Sequence, residues 1–362
     1  MEVTNEDIKK HYLSSVLVYG IVLIILFISP VFNQDVSNIF FSYFAVLCLY
    51  FLLYVIFAYP LLLKFRPDSV LNSRNIIIIN YFKRQFKKGL SLTEKMENIC
   101  CSEEEKQSFV ILFIKAFFGT YCLSVLCSKY LPQLGYDFDF LGAMFAQASE
   151  YVELSGVLGG VTQFIDDTAD MWLTLMFTVT TFVFAFSYLT EAKFLKNKIK
   201  YADTSFLGIL SCIICYYPFI LITEKFIPVG LKELVPIENT VLRITVYTLV
   251  IIVNILSMLA ILRLGTKSGN LTNRGIVTGF PYNIVRHPDY SAQICYVILT
   301  MLPLYFIGDL TVFGQILLTI GMLLWVGIYI LRAVTEERNL IKDEDYKNYC
   351  QKTKYRFIPW VI

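Results

Sequence analysis

Two polar stretches near the C-terminus hold the residue types that do chemistry. The first reads Arg274-Gly-Ile-Val-Thr-Gly-Phe-Pro-Tyr282-Asn-Ile-Val-Arg286-His287-Pro288-Asp289-Tyr290. The second reads Arg332-Ala-Val-Thr-Glu336-Glu337-Arg338-Asn339-Leu340, runs on through Asp345-Tyr346 and Tyr349-Cys350, and ends near Tyr355-Arg356 and Pro359. His287 is one of two histidines in the chain, and the proline after it keeps it out of regular helix. Arg332 and Glu336 are four apart and share a face if the helix continues. Imidazole, guanidinium, carboxylate and phenol together make a pocket that orients a polar ligand and handles charge. The alternative is structural: an interfacial Arg-His-Pro turn, an interfacial Arg332–Glu336 ion pair, and tyrosines serving as membrane belts.

The elements that must position these residues are membrane helices. Of the 362 residues 56% are hydrophobic and 17% charged, against about a quarter charged in soluble domains. The apolar residues fall in runs of about 20, the length a helix needs to cross roughly 30 Å of hydrocarbon. We place eight spans near 13–32, 39–63, 108–128, 171–190, 204–223, 240–262, 291–307 and 310–331. An open strand cannot satisfy its backbone in lipid, so the expected fold is all-α. With both termini cytoplasmic, all but five of the 31 Lys and Arg fall in inner segments. The exceptions are Lys129, Lys225 and Lys232 in outer loops and Lys115 and Arg243 inside spans. This is the asymmetry that the positive-inside rule expects. The 129–170 loop is correspondingly acidic and outer, with an outer-surface helix over 140–164. Spans seven and eight are joined by a few residues around Gly308-Asp309, which returns His287 and Tyr290 to the same membrane face as Arg332 and Glu336. A pocket there takes a polar cofactor from the cytosol and an apolar partner from the bilayer.

The remaining signals are weaker. Cys212-x-x-Cys215 lies in an apolar run without a nearby histidine and reads as two buried thiols, not a metal site. Segment 64–107 carries a basic cluster around Ile76–Ile79, readable as an amphipathic helix on an anionic leaflet or as a solvated loop. Lys115 and Arg243 need partners within the spans or a route to an interface. We divide the chain into an N-terminal membrane region, 1–265, and a C-terminal region, 266–362.

Over 266–362 the blocks Thr278-x-x-Pro-Tyr282-x-x-x-Arg-His287-Pro-x-Tyr290, Arg332-x-x-x-Glu336-Glu337-x-x-Leu340, Tyr346-x-x-Tyr349 and Arg356-x-x-Pro359 resemble the isoprenylcysteine carboxyl methyltransferase and phospholipid methyltransferase superfamily. Those are integral membrane enzymes that use S-adenosyl-L-methionine. The resemblance implies that Gly275, Ile276, Val277 and Tyr282 border this cofactor. It implies that His287, Pro288, Asp289 and Tyr290 hold its amino-acid end and sulfonium, that Glu336 binds it from the C-terminal side, and that Leu340 packs on the adenine. Arg332 would face the substrate, and Glu337, Tyr349, Arg356 and Pro359 would support a folded C-terminal cap. Many members have glycine immediately before the proline, whereas this chain has Phe280 there and Gly279 one residue earlier.

The expected reaction is methyl transfer to a lipophilic or prenylated acceptor drawn from the bilayer. A carboxylate acceptor needs a cation to hold it, and Arg332 has the matching planar fork; an amine acceptor needs a base, for which Glu337 is the nearest carboxylate. Two other readings stand beside this one. Sterol-reductase-like proteins, which use NADPH, share Arg-His-Pro-x-Tyr but tend to show Arg-Asp-Glu where this chain has Glu336-Glu337. A transporter or scaffold would need a polar path through the spans, which hold few strongly polar residues, among them Lys115, Arg243, Asn254 and Gln315.

Overall fold

The computed structural model describes residues 3–28, 37–65, 70, 73–86, 101–216, 219–220, 237–307 and 310–360. Among the described residues the fold is all-helical apart from one antiparallel pair of two-residue strands. The helices are α1 (Asn5–Ile28), α2 (Ser37–Phe65), α3 (Arg74–Gln85), α4 (Glu103–Ile114), α5 (Thr120–Val125), α6 (Leu131–Leu189), α7 (Phe206–Ile213), α8 (Thr240–Leu264), α9 (Pro288–Met301), α10 (Leu304–Ile307), α11 (Val312–Leu340) and α12 (Glu344–Lys352). The strands are β1 (Tyr201–Ala202) and β2 (Thr272–Asn273).

Six stretches among the described residues are long and apolar enough to cross a membrane: Asn5–Ile28, Ala45–Phe65, Glu103–Tyr136, Gly156–Leu189, Thr240–Lys267 and Val312–Leu340. Their outer faces carry exposed Ile24, Ile56, Phe182, Ile252 and Leu323, costly in water and favourable against lipid. This is the build of a membrane protein.

Two expected spans differ from the sequence reading. In the 204–223 segment the described residues show the eight-residue α7, while 217–218 and 221–223 lie outside the described residues. The 291–307 segment is a 14-residue helix, α9, followed by the single turn α10. Pro303 falls between them, where its missing N–H and its ring oppose a continuous ladder. The 129–170 segment is helical throughout its described backbone, because α6 runs from Leu131 to Leu189 with one break at Gly156, whose φ is 70°. Only glycine adopts that conformation without strain. Residues 140–164 are thus helical as part of α6, but from Gly156 onward they belong to a stretch long and apolar enough to span.

Helix starts follow the sequence. Ser102 and Glu105 form a reciprocal capping box at α4, while Asn239 and Thr311 cap α8 and α11. π-helical turns at Lys115–Gly119 and Leu126–Tyr130 flank α5. Both charges expected inside spans, Lys115 and Arg243, are paired. Lys115 Nζ lies 2.9 Å from Glu191, and Arg243 forms a two-pronged pair with Asp166 at 2.8 and 2.7 Å.

The basic segments collect at one end of the molecule. Arg74 of α3 pairs with Glu191 beyond α6. Gln107 of α4 exchanges hydrogen bonds with the Ala202 backbone, and Lys200 pairs with Asp343 before α12. Burial alone would raise the Glu191 pKa, but Lys115 and Arg74 outweigh it and hold the carboxyl at about 2. A folded-state pKa below the ordinary 4.5 adds stability that is complete above pH 4.5 and is lost as pH falls toward 2. The shift corresponds to about 3 kcal/mol. Glu191→Gln is therefore expected to lower the melting temperature of the detergent-solubilised protein at pH 7, with the gap to wild type closing as the buffer is taken from pH 4.5 toward 2. A gap that does not change with pH removes the ionic account.

Candidate functional site

The site lies at this basic end, where α9 begins and α11 ends. His287 is the residue before α9, with φ −125° and ψ 62°, and Pro288 occupies the first helical position, where a missing N–H costs nothing. The turn is pinned by the C-terminal tail: the N–H groups of Arg286 and His287 donate to the carbonyls of Tyr355 and Arg356, at 2.9 Å each. Ser291 Oγ donates to the Phe357 carbonyl at 2.8 Å. Antiparallel packing of α9 on α11 then sets His287 and Tyr290 against Glu336, Glu337 and Arg332.

The imidazole of His287 stacks parallel to the Tyr290 ring, with centroids 5.4 Å apart. Its Nδ1 is 3.8 Å from Glu336 Oε2 and its Nε2 is 3.2 Å from Glu337 Oε1. The Tyr290 hydroxyl donates to Glu336 Oε2 at 3.0 Å. The Arg332 guanidinium lies over the other part of this cluster, 5.0 Å from the Tyr290 ring centroid, a cation–π distance. Its Nη2 donates to Asn270 Oδ1 at 2.7 Å, while its Nε is buried with no hydrogen-bond partner. Asp289 accepts a 2.5 Å hydrogen bond from Ser257 of α8, and Gln293 donates to the same hydroxyl at 3.2 Å.

A cavity of about 310 Å³ runs through this cluster, at the lower end of the range for small-molecule sites, about 300–1,000 Å³. Its walls include Gly275, Ile276, Val277, Tyr282, His287, Asp289, Tyr290, Arg332, Glu336 and Leu340. Ten of the residues singled out from the sequence are therefore brought to one space. Pro288 and Glu337 are not on its wall. Pro288 is buried at the helix start, and Glu337 is turned toward the tail, 2.7 Å from Arg286 Nε and 2.8 Å from Arg356 Nε. A base that already holds two guanidinium groups and an imidazole is a poor proton acceptor, so the geometry favours its cap-supporting role over proton abstraction.

The cap is folded as expected: Tyr349 Oη donates to the Tyr282 carbonyl at 2.6 Å, and Tyr346 and Tyr349 pack with Tyr282 and Ala260. Asp343 ties the cap to the N-terminal region through Lys200 at 2.6 Å and to β2 through Asn273 at 2.9 Å. Burial would raise the Asp343 carboxyl, but these partners hold it below the usual range. A Cβ on Gly279 would meet the end of the flexible Arg263 side chain, and nothing in the structure explains Phe280 in place of the usual glycine.

Sequence reasoning missed part of the wall. Ser257 and Asn254 face the cavity from α8; their signal was two polar residues three apart within an apolar 25-residue helix. Lys267, Asn270 and Arg274 line it from the loop after α8. An apolar arm, walled by Tyr121, Val125, Tyr130, Phe177 and Phe184, leads away into the N-terminal helices. Cys212 and Cys215 are free thiols, and no cluster of metal-ligating side chains occurs among the described residues. Comparison with protein-family models, curated proteins and solved structures finds no match to this chain.

Proposed function

We propose that the protein is an S-adenosyl-L-methionine-dependent methyltransferase acting on a lipophilic or prenylated carboxylate at the cytoplasmic membrane face. The observation that carries this reading is the two-part cavity. Its polar end gathers carboxylates, an imidazole, tyrosines and an arginine around the 275–277 stretch, and its apolar arm enters the membrane helices. The polar end fits the cofactor's charges. Glu336 and Asp289 suit an ammonium and a sulfonium, and the unpartnered donors of Arg274 and the Tyr346 hydroxyl suit a carboxylate and ribose oxygens. When bound, the cofactor supplies an electrophilic methyl group on sulfur. The chain's own work is to position and to exclude water. Arg332, held by Asn270 and Tyr290, offers its Nε to an acceptor carboxylate. The C-terminal cap closes over the mouth through Arg286, Glu337 and Arg356. The apolar arm takes the acceptor's hydrocarbon.

The topology belongs to the same proposal: eight crossings, with both termini and the site cytoplasmic. The ends support the count. α6 finishes at the site end and α8 starts at the far end, beside Asp166, which fits a crossing between them. The positions of His287 and the start of α11 fit a crossing through α9 and α10 in the same way.

Thermal stabilisation of the protein in nanodiscs tests the class. S-adenosylhomocysteine at 100 times its dissociation constant is expected to add about 2.7 kcal/mol, visible as several degrees, and NADPH to add nothing. Stabilisation by NADPH alone would replace this reading with a sterol-reductase-like one. Response to neither would favour a non-enzymatic membrane protein.

A further inference from the structure

We propose that Lys267 and Arg274 form an anion-binding subsite in the cavity wall, built to receive one oxyanion group, a carboxylate or a phosphate, of a bound ligand. Arg274 is 3% exposed. Its Nη1 donates to the Asn197 carbonyl at 3.2 Å, while Nε and Nη2 are buried without a partner. Leaving two guanidinium donors unmade in a buried site is expensive, and a ligand oxyanion satisfies both through the geometry of the fork. Lys267, half-buried, lines the same cavity, and no ion pair joins it to a carboxylate among the described residues. The two cations belong to one wall: Gly275, next to Arg274, has φ 99°, and a Cβ on it would stand 3.2 Å from Lys267 Nζ. Glycine there leaves the ammonium room against the backbone.

The contrast with other basic residues at this end is what marks the pair. Arg74, Lys115, Lys200, Arg286 and Arg356 each have a carboxylate partner. The carboxylates on the cavity wall, Asp289 and Glu336, are engaged instead with Ser257 and Tyr290. Among the described residues, Lys267 and Arg274 thus stand on the wall without an ion-pair contact of their own, although Glu191 acts on Arg274 through space. Under the methyl-transfer reading the oxyanion has two sources, the cofactor's amino-acid carboxylate or an acidic group on the acceptor.

The test uses the full chain in nanodiscs of neutral lipid and does not depend on that reading. Inorganic phosphate is titrated against chloride at matched ionic strength, with melting temperature as the readout. S-adenosylhomocysteine and 5′-methylthioadenosine, which lacks the amino-acid group, are titrated in parallel. Phosphate is expected to stabilise wild type saturably, and Lys267→Gln to weaken its binding by at least about tenfold, the loss expected for one charge-assisted hydrogen bond. Arg274→Gln should act likewise; the less buried Lys267 variant carries the test if the Arg274 variant does not fold. If Lys267→Gln also weakens S-adenosylhomocysteine but not 5′-methylthioadenosine, the oxyanion is the cofactor's carboxylate. If it leaves both nucleosides unaffected while abolishing the phosphate effect, the oxyanion comes from the acceptor. Binding of phosphate but not of S-adenosylhomocysteine by wild type keeps the subsite and rejects methyl transfer. Lys267→Gln binding both phosphate and S-adenosylhomocysteine as wild type does, or neither being bound by wild type, overturns the proposal.

Discussion

Arg332→Ala is expected to reduce methyl transfer about 10²- to 10³-fold, the usual loss when one group that stabilises reacting charge is removed, while S-adenosylhomocysteine binds within about threefold of wild type. The side chain is 8% exposed on the last turns of α11, stacks on Tyr290, bonds Asn270 and keeps Nε free beside the cavity. A carboxylate stripped of water and held by that nitrogen sits opposite the cluster of Glu336 and His287 where the cofactor would lie. Arg332→Lys keeps the charge but loses the planar fork and the ring stacking, so it should recover little of the rate. The assay is labelled-methyl transfer to a total lipid extract of the host, read beside a melting curve of each variant. Substantial activity in Arg332→Ala with an intact melting transition would remove Arg332 from the reaction and, with it, the carboxylate assignment.

The site was legible because its residues sit at the ends of a short helical hairpin. A proline after His287 and a four-residue spacing from Arg332 to Glu336 are local features, and two antiparallel helices bring them together whatever the rest of the chain does. That is why His287, Tyr290 and Glu336 meet within 4 Å as expected. Contacts between distant segments left no such trace. Asn270 finds Arg332 across 62 residues, and Ser257 finds Asp289 across 32; neither asparagine nor serine announces a partner. The apolar arm was also illegible, since Val125, Phe177 and Phe184 look like any lipid-facing residue until helix rotation is known. Hydropathy identified the long helices well. It overestimated α9, because apolar composition does not register the broken backbone at Pro303. It also could not separate the roles of adjacent Glu336 and Glu337. Neighbours on a helix point about 100° apart, and that rotation sends one carboxylate to the cavity and the other to the tail.

The second large effect follows from that separation. Glu337 is 11% exposed and accepts from Arg286, Arg356 and His287 at once. Glu337→Gln keeps the shape and removes the charge. Two guanidinium groups then remain close together without a counter-ion, a loss of about 3 kcal/mol when a largely buried pair is broken from one side. The break falls where the tail is fastened to the turn before α9, so its cost is local opening of the cap more than global unfolding. Amide exchange should therefore quicken over residues 343–360 and at Arg286 and His287, while α8 and the body of α11 keep their protection. S-adenosylhomocysteine affinity should fall at least about tenfold, because the cap's Tyr346 and Tyr349 stand on the cavity wall and an open cap subtracts its free energy from binding. The pattern distinguishes a clasp from a base. If Glu337 served as a proton acceptor, the glutamine variant would lose turnover with cofactor affinity and tail protection unchanged, and the cap-closing role would be wrong.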